Sequence, residues 1–262
     1  MDMKTVDDRD GGEPRAGGAM AAPSGACEGR DIGADSVELA AGIPDYLRDV
    51  YTWAYLDPQA CRWLDRQWVV NAILWGNAGR LVMNTIAEVA PGSRVLQLAA
   101  VYGNFSRRLA QRVGPRGRLV VCDIAPVQVA LTRRKLEGFG SAEVRLADAT
   151  NPVDGIFDAV VCFFLLHEVP EDTKRRIVRA ALQRVARGGK AIFVDYHRPR
   201  AWHPLRPVMR LVFRKLEPFA DAMWTRSVES YAAAEAGRYA WRRRTLFGGL
   251  YQVVVATPVA AA

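Results

Sequence analysis

Between residues 91 and 200, short apolar runs alternate with amphipathic stretches, and few folds accommodate that pattern. Residues 94–99, 118–123, 144–148, 157–166 and 190–196 read as strands. They are apolar almost throughout, as strands buried on both faces are. Residues 104–113, 126–136 and 171–186 read as helices. In the last of these, acids open the first turn, Ile177, Val178, Ala181, Leu182 and Val185 form one stripe, and Gly188-Gly189 marks the stop. Strands alternating with helices predict a parallel sheet covered on both faces. After Tyr196 the alternation ends. Residues 201–236 read as helical, and WRRRTLF-GG-LYQVVVAT reads as a hairpin turning at Gly248-Gly249. The expected fold is therefore α/β and Rossmann-like. It is a doubly wound, seven-stranded, mostly parallel sheet ending in an antiparallel hairpin, with 201–236 as a helical insertion.

The flanking segments differ in texture. Residues 1–42 hold nine acids and four bases and almost no large apolar side chain, and read as a disordered tail. Residues 43–90 are dense in Trp and Tyr and read as a helical cap on the domain spanning 91–258. The net charge is +8, and since the tail carries −5, the remainder carries +13. A body this basic expects an anionic partner. No window reaches the roughly 18 uncharged apolar residues of a spanning helix, which predicts a soluble or peripheral protein. The cysteines, Cys27, Cys61, Cys122 and Cys162, lack metal-type spacing and read as reduced thiols.

In doubly wound sheets the ligand lies outside the carboxyl ends of the strands. The first such end is VLQLAAVYGN, residues 95–104. Asp123 ends the second strand, where an acid can hold ribose hydroxyls, with Ile124 beside it. Asp148 and Ala149 end the third. His167 and Glu168 follow the fourth, and Asp195, Tyr196 and His197 follow the fifth. Such a group suits acid/base work, or a divalent cation held through imidazole and carboxylate; no metal motif is specific. Residues 198–216 hold six Arg/Lys and no acid, interleaved with Trp202 and Phe213. This suits an anionic membrane surface or a solvated helix face. Nucleic acid is not expected, because no recognised binding module accompanies the basic run.

This order and spacing resemble a class I S-adenosylmethionine-dependent methyltransferase, with departures in the first loop. Gln97 stands where that class has an acid, Ala99 and Val101 where it has glycines, and Gly103 alone is kept. Glycines there let the backbone approach a ligand. PDYL, WAY, RQW and ILWGN within residues 44–77, with LQLAAVYGNF, FFLLHE and DYHRP, further resemble the rhodoquinone biosynthesis protein family, whose pattern includes Val101. That resemblance implies conversion of ubiquinone to rhodoquinone, a ring methoxy giving way to an amino group. It implies S-adenosylmethionine as amine source, assistance by manganese, and a cytoplasmic enzyme peripheral on the inner membrane. On this reading Gln97, Ala99, Val101, Gly103, Asp123, Ile124, Asp148 and Ala149 contact the cofactor. Amides around Gly103 hold its carboxylate. Val101, Tyr102, His167, Glu168, Tyr196 and His197 line the reacting end. The alternatives are an ordinary methyltransferase of a quinone, phenol or lipid, and a non-catalytic binding protein.

Overall fold

A computed structural model describes Pro44, Arg48 and residues 57–259. The expected tail, and with it most of the PDYL and WAY segments, lies outside the described residues. Three short helices come first: α1 (Pro58–Leu64), α2 (Gln67–Ile73) and α3 (Ala78–Ile86). Then β1 (Arg94–Leu98), α4 (Phe105–Val113), β2 (Arg118–Asp123), α5 (Pro126–Lys135), β3 (Ala142–Leu146), β4 (Phe157–Phe163), α6 (Glu171–Gln183) and β5 (Val185–Tyr196) alternate. Helices α7 (Arg206–Lys215) and α8 (Ala222–Thr225) precede the hairpin of β6 (Tyr239–Leu246) and β7 (Tyr251–Pro258).

The seven strands form one sheet in the order β3-β2-β1-β4-β5-β7-β6. The first five are mutually parallel, and β7 runs antiparallel between β5 and β6. Chain order reverses between β1 and β4, so the switch point opens at their carboxyl ends. Strand β1 is buried from Val95 to Leu98, and β4 from Ala159 to Phe163, as helices on both faces require. Helix α4 shows why each helix sits as it does. Phe105, Leu109, Ala110 and Val113 face the sheet, Arg107, Arg108 and Arg112 face out, and Gly114, at φ 71°, ends the helix.

Three sequence expectations are corrected. Helix α6 ends at Gln183, not Ala186, and Gly188-Gly189 lies inside β5. The β4–β5 register shifts there, and a Cβ on Gly189 would lie 2.7 Å from the Asp158 carbonyl. The pair serves a bulge rather than a helix stop. Strand β4 ends at Phe163, and residues 166–168 form a 3-10 turn that carries His167 inward. The insertion is only partly helical: α7 stops at Lys215, three residues ahead of the helix-incompatible Pro218.

Candidate active site

The carboxyl ends of β1, β2, β4 and β5 form the floor of a cavity of about 420 Å³, with α2, α3 and α7 as its walls. Ala99, Val101, Tyr102, Asp123, Ile124 and Ala149 line one end; His167, Glu168 and Tyr196 line the other. Most of the expected site residues thus share one chamber, although they span about a hundred positions of chain.

The β1 loop keeps the shape of a glycine loop without its glycines. Ala99 has φ 65°, the left-handed conformation that glycine adopts without cost. Gln97 lies buried beneath it and donates from Nε2 to the Ala99 carbonyl across 2.9 Å. Gln97 therefore braces the loop and does not reach the chamber, because parallel-strand packing turns its side chain into the sheet layer. Its Oε1 is buried with no partner among the described residues.

The amides at the start of α4 are already engaged. Gly103 N donates to Asp65 Oδ1, and Asn104 N to Gln67 Oε1, each at 2.9 Å. Lys135 Nζ donates to Asp65 Oδ1 at 2.5 Å, to the Val101 carbonyl at 2.9 Å and to the Gly103 carbonyl at 3.4 Å. A Cβ on Gly103 would stand 2.7 Å from Gln67 Oε1, so this glycine permits the close approach of α2. The expected capture of a cofactor carboxylate by these amides is corrected: side chains flanking α1 and α2 hold them. Tyr102 turns its hydroxyl to Gln128, which donates to it at 2.7 Å, and burial pushes the phenol well above its ordinary range.

Asp123 suits S-adenosylmethionine. Its Oδ2 accepts from Ala100 N and its Oδ1 from Ala125 N, both at 2.7 Å, leaving lone pairs for ribose hydroxyls. Burial pushes its carboxyl up to about 6 against the pull of those amides. When bound, the cofactor supplies a transferable group on a sulfonium centre. Asp148 is placed differently from the expectation. It accepts from Thr150 N at 2.7 Å in a local turn, and its neighbours Ala147 and Ala149 line the chamber instead.

At the far end, His167 Nδ1 lies 2.9 Å from Asp195 Oδ1, and the His167 amide donates to Asp195 Oδ2 at 3.2 Å. Asp195 is 1% exposed, so its carboxylate needs these partners. Burial works against a charged His167 ring, but the adjoining Asp195 charge and hydrogen bond outweigh it and push the imidazole up to about 9. Nε2 points toward Glu168, 3.7 Å from its Oε1. Phe164, held at φ 53°, sets its ring edge-on to His167 and Tyr196. Left-handed non-glycine residues concentrate at functional sites, and Ala99 and Phe164 end the two strands that flank the switch point. His197 falls outside this group. Strand alternation turns it away, and its Nδ1 meets the Gly249 carbonyl at 2.8 Å. Among the described residues, no three His, Cys, Asp or Glu side chains converge as a metal site. The manganese implied by the resemblance has no ready ligand set among the described residues. Sequence reasoning placed Asp195 in the strand-end group without pairing it to His167, met Gln67 only within RQW, and passed over Asp65, Lys135 and Glu217. Asp195 alone carried a signal, a lone acid closing an apolar strand.

A methyltransferase-domain family model matches residues 95–189. The ubiquinone/menaquinone biosynthesis C-methyltransferase UbiE of Teredinibacter turnerae is 30% identical over 190 residues, covering 69% of this chain and 75% of the relative. That of Burkholderia multivorans is 27% identical over 149 residues, covering 55% and 59%. The chain thus spans about three fifths of the Burkholderia protein's length. Among solved structures, an O-methyltransferase family protein from Burkholderia thailandensis superposes with a TM-score of 0.59 at 14% identity, covering 87% of this chain and 70% of that one. Human N-acetylserotonin methyltransferase in complex with S-adenosylmethionine gives 0.57 at 15% identity, covering 87% and 65%. At such identities these structures share the fold. With the strand order, the Asp123 wall and the Teredinibacter alignment together, the chain belongs to the S-adenosylmethionine-dependent methyltransferase family that includes the ubiquinone/menaquinone biosynthesis C-methyltransferases.

Proposed function

We propose that this protein converts membrane-embedded ubiquinone to rhodoquinone, exchanging a ring methoxy group for an amino group whose nitrogen comes from S-adenosylmethionine. The observation that carries the reading is the β1 loop. Its Val101 side chain stands at the chamber wall where the family has glycine, and Lys135 occupies the Val101 and Gly103 carbonyls. Those carbonyls are then poor partners for the cofactor's ammonium. An amino group held less firmly is freer to react. In the substitution step the deprotonated amine forms a C–N bond at the ring carbon, the C–O bond to methoxy breaks, and methanol leaves with one N–H proton. Release of the amino group then requires the nitrogen-to-α-carbon bond of the donor to break, the quinone ring taking two electrons from that unit and water hydrolysing the resulting C=N bond to a carbonyl. His167, oriented by Asp195, stands where it can take and return the N–H proton.

The chamber also suits a lipid substrate. Ile73, Trp75 and Leu216 line it and are 50%, 40% and 52% exposed, so its mouth is rimmed by apolar side chains that face out. Trp68 and Leu211 are exposed as well, and Arg206, Arg210, Arg214 and Lys215 lie on α7. An isoprenoid tail leaving by this mouth would enter an anionic bilayer against which the protein rests, on the cytoplasmic face of the inner membrane. No helix among the described residues is long and apolar enough to cross a membrane.

A second reading, C-methyl transfer to a quinone precursor, is favoured by the names of the curated relatives. Expression in a bacterium that makes ubiquinone but no rhodoquinone, followed by mass spectrometry of extracted lipids, separates the two. A quinone carrying amino for methoxy supports amination. An unchanged quinone pool in well-expressing cells removes it, and rescue of a strain lacking the C-methyltransferase would establish the second reading.

A further inference from the structure

Glu217 is the acid in the chamber that no sequence motif announced. It follows α7, whose Met209, Val212 and Leu216 line the same wall, and it faces the aromatic end built from Phe164, Tyr196 and Tyr251. Tyr196 donates its hydroxyl toward Glu217 Oε1 across 3.5 Å. Glu217 Oε2 is buried and has no hydrogen-bond partner among the described residues. A buried polar atom without a partner carries a desolvation cost that a ligand hydrogen bond removes. Burial pushes this carboxyl upward and Asp195 adds to the effect, while His167 and the Tyr196 hydrogen bond oppose it.

We infer that Glu217 is a substrate-binding residue whose carboxyl hydrogen-bonds a ring oxygen of a flat quinone at the end of the chamber that also holds His167 and Tyr196. A polar group set beside the apolar Met209, Val212 and Leu216 fixes which ring edge is presented. The other ligand of opposite character, the cationic cofactor, is disfavoured by position. Glu217 meets Tyr196 at the end of β5, whereas Asp123 ends β2, three strands away along the sheet. At the usual strand spacing that separates them by about 14 Å.

The inference rests on the quinone reading of the chamber but not on amination, and a binding experiment tests it. Full-length protein is titrated with a short-tailed ubiquinone, followed by quenching of tryptophan fluorescence, and with S-adenosylmethionine by calorimetry. Glu217→Ala is expected to weaken quinone binding about fivefold, the size of one hydrogen bond. Glu217→Gln, whose amide keeps a hydrogen-bonding group of the same reach, is expected to recover to within twofold of the wild type. Cofactor affinity is expected to stay within twofold in both. Equal weakening by Ala and Gln, no weakening by either, or loss of cofactor rather than quinone affinity overturns the inference, as does a wild type that binds no quinone. A wild type that aminates nothing in cells yet shows the expected pattern removes the amination reading and leaves Glu217 in place.

Discussion

Asp65 accepts a hydrogen bond from the Gly103 amide across 2.9 Å, which joins the N-terminal helices to the loop that ends β1. The same carboxylate pairs with Lys135, whose side chain is 12% exposed. Lys135 in turn holds the Val101 and Gly103 carbonyls. One ion pair thus fixes both the amide and carbonyl sides of the loop.

Asp65→Ala is therefore expected to destabilise the protein by about 1–3 kcal/mol, because it leaves a largely buried lysine and an amide without their partner. Asp65→Asn, which can still accept from Gly103, should cost less. Urea unfolding of the three proteins measures both, and equal stability of Asp65→Ala and wild type would show the pair to be idle.

Ala99→Gly is expected to be neutral or stabilising by up to about 1 kcal/mol. Relief of the left-handed strain, about 1–2 kcal/mol, is partly offset by the greater freedom of glycine in the unfolded chain. A rise in melting temperature checks it; a fall would mean that the Ala99 methyl packs more than it strains.

Val101→Gly opens the chamber wall where the β1 loop meets the cofactor. On the amination reading it is expected to lower aminated quinone at least tenfold in cells while binding of S-adenosylmethionine holds. Unchanged amination in that variant would remove Val101 from the account of the reaction.

His167 is held up to about 9 in the folded protein, above its ordinary 6.5. A raised folded value means that this group adds stability below about pH 6.5, and that the contribution is lost as pH rises through about 9. The neutral ring is the base, so kcat/KM is expected to rise over the same interval. Asp195→Asn removes the charge that lifts the imidazole, and should move the rising limb to lower pH while reducing the rate. A profile that does not move would separate Asp195 from His167 in function.

Reversing charge at the exposed Arg210, Arg214 and Lys215 on α7 is expected to release the protein from vesicles rich in anionic lipid, with little change in melting temperature. Co-sedimentation reads this directly, and undiminished binding would place the membrane contact elsewhere.

Strand alternation was legible because buried parallel strands and amphipathic helices leave periodic traces within ten or so residues. Strand β2 (Arg118–Asp123) and helix α4 show this. The end of α6 was not legible: Gly188-Gly189 has the composition of a helix stop, yet serves a bulge whose need comes from the neighbouring Asp158 carbonyl. His197 looked equivalent to Tyr196 until the direction of β5 turned one outward and the other into the chamber.

The amino-acid sequence by itself determined the doubly wound sheet, the antiparallel hairpin that ends it, and the carboxylate of Asp123 at the β2 end. Each follows from local pattern and the handedness of parallel crossovers. Only the tertiary structure decided that Asp65 and Gln67 occupy the loop amides, that Asp195 orients His167, and that Glu217 enters the chamber. Those pairings join residues 28 to 38 positions apart, or bring in a side chain from an irregular turn after α7. Periodicity has no reach over such distances. Burial imposes the pairings, because each carboxylate, amide or lysine taken out of water must find a partner wherever packing has placed one.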